Sequence, residues 1–176
     1  TCAKEESLLM FCSPHNPVGR VWLKEELLAL LVVAKKHNLI ILADEIHADL
    51  VYANTQHHTL SRLAFENAPA PSSIDAPHAI ITAVSPSKTF NIPGMGLSAL
   101  IIPDAIYRQT IQSHLAKIAV SVTNPFSMIA FEAAYRGGAD WLSELMAYLQ
   151  ATRDEAIAFI RAHIPKINTV CPEGTY

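Results

Sequence analysis

The sequence is low in charge and in cysteine, and it has no long basic run. Charged residues make up 16% of the 176 residues and hydrophobic residues 51%, a balance that excludes a disordered chain. The formal net charge is −3, so nucleic acid is not expected as a partner. The three cysteines, Cys2, Cys12 and Cys171, are too widely spaced for a disulfide framework, which favours a reducing, cytoplasmic setting. We expect Cys12 and Cys171 to be small core residues.

The sequence also shows no pattern typical of a membrane span or of a secretion signal. Lys35, Lys36 and His37 interrupt the longest apolar stretch, so we expect no membrane partner. The N-terminus lacks a signal-peptide pattern. The chain begins at Thr1 without an initiator Met and stops at Tyr176 directly after a turn-like run. We therefore expect the central part of a longer protein.

Short apolar runs predict four buried strands: Ser7–Phe11, Leu39–Ala43, Ala79–Val84 and Leu97–Ile102. An amphipathic helix over Lys24–His37 joins the first two, which predicts a βαβ unit with parallel strands. The link between the last two strands is only about a dozen residues long and contains Pro93. Because a parallel crossover needs that length as helix, we expect the fourth strand to run antiparallel.

The rest of the chain predicts helices and one irregular segment. Helices are expected from Pro103 to about Val120, over Pro125–Tyr135, and from Trp141 to about His163. Residues 56–77 lack periodicity and predict a surface segment with at most one helical turn. The predicted fold is α/β: a mixed, mostly parallel sheet layered by helices and incomplete. We expect a large domain over roughly 1–140, and a connecting helix with the start of a second domain over 141–176.

Polar residues follow three of the apolar runs. Asn16 follows the first, Asp44-Glu45 the second, and Ser85-Pro86-Ser87-Lys88 the third. In open α/β sheets, ligands bind outside the carboxyl ends of the strands, so these groups form a candidate site. A lysine, an acid and an amide at one edge are what a pyridoxal-phosphate (PLP) site requires.

Three motifs extend this interpretation to a family. The runs Ser13–Trp22 (SPHNPVGRVW), Asp44–His47 (DEIH) and Ser85–Asn91 (SPSKTFN) resemble successive motifs of fold-type-I PLP-dependent enzymes, the class I/II aminotransferase superfamily. Their wording is most similar to the MalY/PatB-type cystathionine β-lyases, or C–S lyases. The resemblance covers almost the whole chain, including Pro172–Tyr176.

The resemblance implies a role for several side chains in a large PLP-binding domain. Lys88 would be the Schiff-base lysine and Asp44 the partner of the pyridine nitrogen. Asn16 would donate to the phenolate oxygen. His47 occupies the position where many aminotransferases carry a tyrosine that bonds the same oxygen.

The resemblance also implies how the cofactor phosphate is bound. Ser85 and Ser87 would contact it, together with backbone N–H groups. Many aminotransferases carry a phosphate-binding arginine eight residues past the lysine, where this chain has Gly96, and the nearby Arg108 lies in a different element. This departure favours the lyase branch over the transaminases.

The implied activity is β-elimination from L-cysteine S-conjugates such as cystathionine, giving a thiol, pyruvate and ammonia. Lys88 would take the Cα proton as general base. Relatives build the site with flanking segments and a second subunit, so a homodimer is expected, and residues 121–125 would approach the partner's cofactor. Two alternatives stay open: an aminotransferase on the same fold, and a non-catalytic fragment or regulatory relative.

Simpler interpretations compete at each position. Lys88 could be an exposed lysine after a strand, Asp44 a helix cap, and Asn16-Pro17 only a turn. The Ser85-x-x-Lys88 spacing also fits penicillin-binding proteins, but their S-D-N and K-T-G motifs are missing.

The eight histidines do not predict a metal site. His57 and His58 are adjacent and cannot easily aim at one ion, and the Asp44, His47 and Asp49 spacing is not that of a metal motif. We expect no metal.

Overall fold

The computed structural model describes residues 7–67, 80–118 and 124–176, and within them a four-stranded sheet is layered by helices. The strands β1 (Ser7–Cys12), β2 (Leu39–Asp44), β3 (Ile80–Val84) and β4 (Ala99–Ile101) lie in that order. The pairs β1–β2 and β2–β3 are parallel, whereas β4 runs antiparallel to β3. The predicted mixed, mostly parallel sheet is confirmed, including the reversal of β4.

Helix α1 (Lys24–Lys36) connects β1 to β2 as predicted. Its first turn is acidic and its last turn basic, which suits the helix dipole. The Glu26 carboxylate accepts a hydrogen bond from the backbone N–H of the N-cap residue Leu23 at 2.9 Å. A side chain of the helix's own first turn therefore caps its N-terminus. Leu27 and Ala34 are buried and fasten the helix to the sheet.

Helix α2 (Leu60–Glu66) corrects the prediction for residues 56–77. The expected surface segment instead contains a seven-residue helix that faces the core. It buries three apolar side chains: Leu60, Leu63 and Ala64. Residues 68–79 lie outside the described part of the chain.

The last three helices lie close to their predicted positions, whereas a short helix and a 3-10 turn before them were not predicted. A short helix α3 (Pro86–Thr89) and a 3-10 turn (Pro93–Met95) fill the link between β3 and β4. They are followed by α4 (Ala105–Lys117), α5 (Pro125–Gly137) and α6 (Ala139–His163). The predicted end of the first of these, near Val120, lies outside the described residues. None of the helices in the described segments is long and apolar enough to cross a membrane.

The two faces of the sheet differ in what lies against them. On the covered face, Ile41 and Ala43 pack with residues of α1 and α2 into one apolar cluster. The side chains of Met10, Leu42 and Asp44 alternate with these along the strands and define the open face. Within the described part of the chain, helices α1 and α2 therefore pack against one face of the sheet.

Candidate cofactor site

The carboxyl ends of the parallel strands bring the predicted polar residues to one edge. Asp44 ends β2 and stands in register with Cys12 of β1 and Ala83 of β3. Ser85 follows β3 directly and begins α3. The predicted meeting of an acid and the Ser85–Lys88 turn at this edge is therefore present in the fold.

A cavity of about 320 Å³ opens at this edge, on the open face of the sheet. That volume falls within the roughly 300–1,000 Å³ of small-molecule sites. Its wall is mostly apolar with a few polar groups: Met10, Phe11, Cys12, Leu42, Asp44, Ile46, Ala83, Val84, Ser85 and Ser98. An apolar wall with one carboxylate and two hydroxyls suits a flat aromatic ligand that carries polar substituents.

Asp44 lines this cavity, and backbone hydrogen bonds hold it in place. Its carbonyl accepts from the Ser13 N–H at 3.0 Å, and the next residue, Glu45, donates its N–H to the Ala83 carbonyl at 3.0 Å. One carboxylate oxygen accepts from the Ile46 N–H at 3.1 Å. The local turn bond expected of a capping aspartate is thus present, and the side chain still lines the cavity.

His47 is the most unusual polar group of the site. Its side chain is 3% exposed, and neither ring nitrogen has a hydrogen-bond partner among the described residues. Burial lowers the pKa of His47; the Asp44 carboxylate raises this pKa and the Lys88 ammonium lowers it further. All three groups therefore lie within electrostatic reach of one another. A buried ring without a partner is costly, and a bound polar ligand would satisfy it.

The Ser85–Lys88 turn is organised around the Ser85 hydroxyl. This hydroxyl donates to the Leu97 carbonyl at 2.8 Å and accepts from the Ser87 N–H at 3.1 Å. Lys88 is exposed in the last turn of α3. Because the Ser85 hydroxyl is already used inside the protein, the phosphate contacts assigned to Ser85 and Ser87 stay predictions.

Asn16 lies at the tip of a tight turn. His15 and Arg20 pair across the turn, and Gly19 has a φ of +73°. A Cβ at Gly19 would lie 2.7 Å from the Cβ of Pro172, so only glycine fits. The Asn16 side chain is exposed, and no hydrogen bond within the described segments joins it to Asp44. Its role as a donor to the cofactor stays a prediction.

Two other predictions concern positively charged and metal-binding groups. Arg108 donates to the carbonyls of Ile102 and Pro103 at the start of its own helix, so its guanidinium is already occupied within the protein.

One of the histidines considered as metal ligands has another partner: His57 pairs with Glu45 at 3.0 Å. Among the described residues, no group of three potential ligands could hold a metal ion.

The buried polar pair of Glu45 and His57, beside the site, was not predicted from the sequence. One Glu45 carboxylate oxygen accepts from the Leu60 N–H at 2.9 Å, and the other lies 3.0 Å from the His57 Nε2. Glu45 therefore joins the end of β2 to the start of α2. The sequence does show a second acid, Glu45, directly after Asp44. Its partners, His57 and Leu60, could not be predicted because they lie 12 and 15 residues further along the chain.

The segment Pro172–Tyr176, named here the terminal strap, was also missed as a structural element. The Glu173 N–H donates to the Gly19 carbonyl and the Thr175 N–H to the Leu50 carbonyl, both at 2.7 Å. The Tyr176 ring packs edge-on against His47 with the ring centroids 5.8 Å apart. The strap thus fastens the Asn16 turn to the loop that carries His47.

The two cysteines predicted as core residues are not in the core. Cys12 is half-buried and lines the cavity, and Cys171 is exposed just before the strap. That prediction was wrong for Cys12 because the open face of β1 borders the cavity, and for Cys171 because it lies in an exposed segment after α6.

The sequence and the fold of this chain both match proteins of one family. Residues 1–175 match the family described as aminotransferase class I and II. Cystathionine β-lyase PatB of Bacillus subtilis (strain 168) is 36% identical over 97% of this chain. A PLP-bound C–S lyase from Staphylococcus hominis superimposes with a TM-score of 0.84 at 32% identity, covering 97% of this chain.

A third relative carries a different functional name. A PLP-bound protein of Clostridium difficile 630, named provisionally as an aminotransferase, superimposes with a TM-score of 0.88 at 36% identity over 97% of this chain. The matches cover 42% of PatB, 40% of the Staphylococcus hominis chain and 42% of the Clostridium difficile chain. The chain thus spans about two fifths of the length of these relatives.

Proposed function

This chain belongs to the aminotransferase class I and II family, and from this premise we propose that it carries the cofactor site of a PLP-dependent C–S lyase. The observation that carries the proposal is His47, a buried ring with no partner of its own, set within electrostatic reach of both Asp44 and Lys88. Asp44 lines the apolar cavity, and His47 lies within electrostatic reach of Asp44 and Lys88. An acid, a base and an unsatisfied polar ring are the groups that a pyridine ring with polar substituents needs.

The residues present fit this cofactor. Asp44, which lines the cavity, would keep a proton on the pyridine nitrogen. His47 and Asn16 would bond the phenolate oxygen, and Ser85 and Ser87 the phosphate. When bound, PLP supplies an electron sink for reactions at the substrate Cα.

Lys88 has two tasks in this proposal. Its amine would hold the cofactor, and once released by the substrate amino group it would take the proton from Cα as general base. An exposed position at the end of a short helix suits a side chain that must move between these tasks.

The reaction proposed for the whole protein is β-elimination from an L-cysteine S-conjugate such as cystathionine, which releases a thiol and, with the uptake of one water, pyruvate and ammonia. The lyase names of PatB and of the Staphylococcus hominis enzyme support it. Gly96 in place of a phosphate-binding arginine also supports it, since Arg108 is used at its own helix start.

Transamination is the second candidate, favoured by the name of the Clostridium difficile relative. A keto-acid acceptor separates the two activities. Elimination releases pyruvate without an acceptor, whereas transamination requires one and forms a new amino acid.

We further propose a location, an oligomeric state and a domain organisation for the whole protein. The whole protein would be a cytoplasmic homodimer that acts on a small amino-acid substrate. Residues 1–140 would belong to the large PLP-binding domain, and 141–176 would lead into a second domain.

The proposal is tested by Lys88→Ala in the full-length protein. We expect loss of cofactor capture by borohydride reduction and a fall in elimination rate of at least about 10²–10⁴-fold, the usual contribution of a general base. Lys36→Ala, at another exposed lysine, is the matched control and should leave both unchanged.

Retained lyase activity in the Lys88→Ala protein would refute the assignment. A titration of the wild-type protein with PLP separates the non-catalytic alternative. A dead fragment would show no binding, whereas a regulatory relative would bind PLP and release no pyruvate.

A further inference from the structure

The turn that carries Lys88 and the loop Asp44–Leu50 lie side by side and are tied together at two points. The Glu45 N–H donates to the Ala83 carbonyl at 3.0 Å, before the turn begins. The Thr89 hydroxyl donates to the Asp49 carboxylate at 3.0 Å, directly after Lys88. The Lys88 turn is therefore bracketed by two hydrogen bonds to a single loop.

The second of these hydrogen bonds is buried at its donor. The Thr89 side chain is 0% exposed, and its hydroxyl bonds a carboxylate oxygen. Asp49 itself is exposed, so the bond is part-buried. A hydrogen bond to a carboxylate is stronger than one between neutral groups, and this bond attaches the Lys88 turn to the loop.

Helix α3 needs such an attachment. It has only four residues, too few to be stable without outside contacts. Its own capping bonds run within the turn, from the Phe90 N–H to the Pro86 carbonyl and from the Ser87 N–H to Ser85. These bonds set the shape of the turn but not its orientation toward β2.

The loop on the other side is internally rigid. The Ala48 N–H donates to the Glu45 carbonyl and the Leu50 N–H to the His47 carbonyl, both at 2.9 Å. The Asp44 carboxylate closes the first turn of the same loop. Any group fixed to Asp49 is therefore fixed relative to Asp44 and His47.

We propose that the Thr89–Asp49 hydrogen bond sets the position of the Lys88 amine relative to Asp44 and His47. Thr89 and Asp49 are then positioning residues for the reaction, acting through Lys88. The importance of this position for turnover rests on the proposed function, but the position itself can be measured without cofactor.

The test compares Thr89→Val, which removes the hydroxyl, with Thr89→Ser, which keeps it, both in the full-length protein. Thr110→Val is the matched control, because the Thr110 hydroxyl bonds a backbone carbonyl in the exposed helix α4. The first readout is the rate at which acetic anhydride modifies Lys88 in the cofactor-free protein, followed by peptide mass spectrometry. The second is the visible circular dichroism of added PLP, and the third is kcat against KM.

We expect Thr89→Val to change the acetylation rate of Lys88 and to weaken the visible circular dichroism. Its kcat should fall by about tenfold or more while KM moves by less than about threefold, since small misplacements of a reacting group act mainly on turnover. Thr89→Ser should restore all three readouts, and Thr110→Val should leave them unchanged.

A folded Thr89→Val protein with unchanged Lys88 acetylation and unchanged dichroism would overturn the proposal, even if it melts at a lower temperature. If Thr89→Val does not fold, Asp49→Ala decides, because it removes the acceptor of the same hydrogen bond at an exposed residue. We expect the Lys88 acetylation rate to change there, and no change would overturn the proposal.

Failure of the proposed function has a different signature. A wild-type protein that neither binds PLP nor yields a borohydride-reduced adduct at Lys88 would refute the cofactor assignment. The acetylation comparison between the valine and serine variants would still report on the Thr89–Asp49 hydrogen bond.

Discussion

The two faces of the sheet are made by the same strands yet serve different purposes. Ile41 on the covered face is 1% exposed, whereas Met10 on the open face, one strand away, is 74% exposed. The covered face is closed by α1 and α2, and the open face leads to the cavity beside Asp44. Among the described residues, the apolar cluster thus lies on one side of the sheet and the candidate cofactor site on the other.

The largest expected effect tests this contrast directly. Ile41→Ala would open a cavity in the apolar cluster and lower the free energy of unfolding by about 2–5 kcal/mol. Met10→Ala, in the neighbouring strand, should change it by less than about 0.5 kcal/mol, because the side chain loses few contacts. Urea unfolding of this chain, followed by circular dichroism, measures both.

Equal losses for the two variants would break the comparison. They would mean that the open face is covered in solution by something that packs as tightly as α1 and α2.

A smaller effect is expected at the boundary between the two faces, where Glu45 joins β2 to α2. Glu45→Ala leaves the Leu60 N–H and the His57 ring without their partner, which should cost about 1–3 kcal/mol of unfolding free energy. Glu66→Ala removes an acid from an exposed pair with Arg62 and serves as the control. A loss at Glu45 no larger than that at Glu66 would show that the buried pair does not hold α2.

The smallest expected effect is a change in how the free energy of unfolding depends on pH, and it tests the burial of His47. Burial lowers the pKa of His47 from its ordinary value of 6.5, so the native chain binds this proton less readily than the unfolded chain. The contribution of neutral His47 to stability is thus fully present above that value. It is lost as the pH falls toward the lowered pKa of the native state.

His47→Gln should therefore flatten the fall in stability between about pH 7.5 and pH 5.5, as measured by urea unfolding in the absence of cofactor. His114→Gln, at an exposed histidine, controls for the loss of an imidazole. An unchanged pH dependence in the His47 variant would contradict the lowered pKa.

The strands and the position of the site were predictable because their signals are local. Each strand is a short apolar run, and the reversal of β4 follows from the short link that precedes it. Asp44 and Lys88 could be placed at one edge because both follow such runs directly. The family match supports the resemblance of the three motifs that contain them.

What the sequence did not reveal depends on contacts between distant residues. Helix α2 is too short to predict from its own pattern, and its first turn is stabilised by Glu45, fifteen residues earlier. The strap bonds to Gly19 and Leu50, far from it along the chain. The Thr89–Asp49 hydrogen bond is of the same kind, since neither residue is unusual by itself.

The antiparallel direction of β4 has a consequence for how this scaffold could vary. Residues 85–98 leave the sheet after β3 and re-enter it at the same end, and the Ser85–Leu97 hydrogen bond closes them at the base. Lys88 and the cavity residue Ser98 thus belong to one excursion from the sheet. Because the Thr89–Asp49 hydrogen bond anchors this excursion to the loop after β2, an exchange of residues 85–98 between relatives would retune the cavity only where an acceptor like Asp49 is kept.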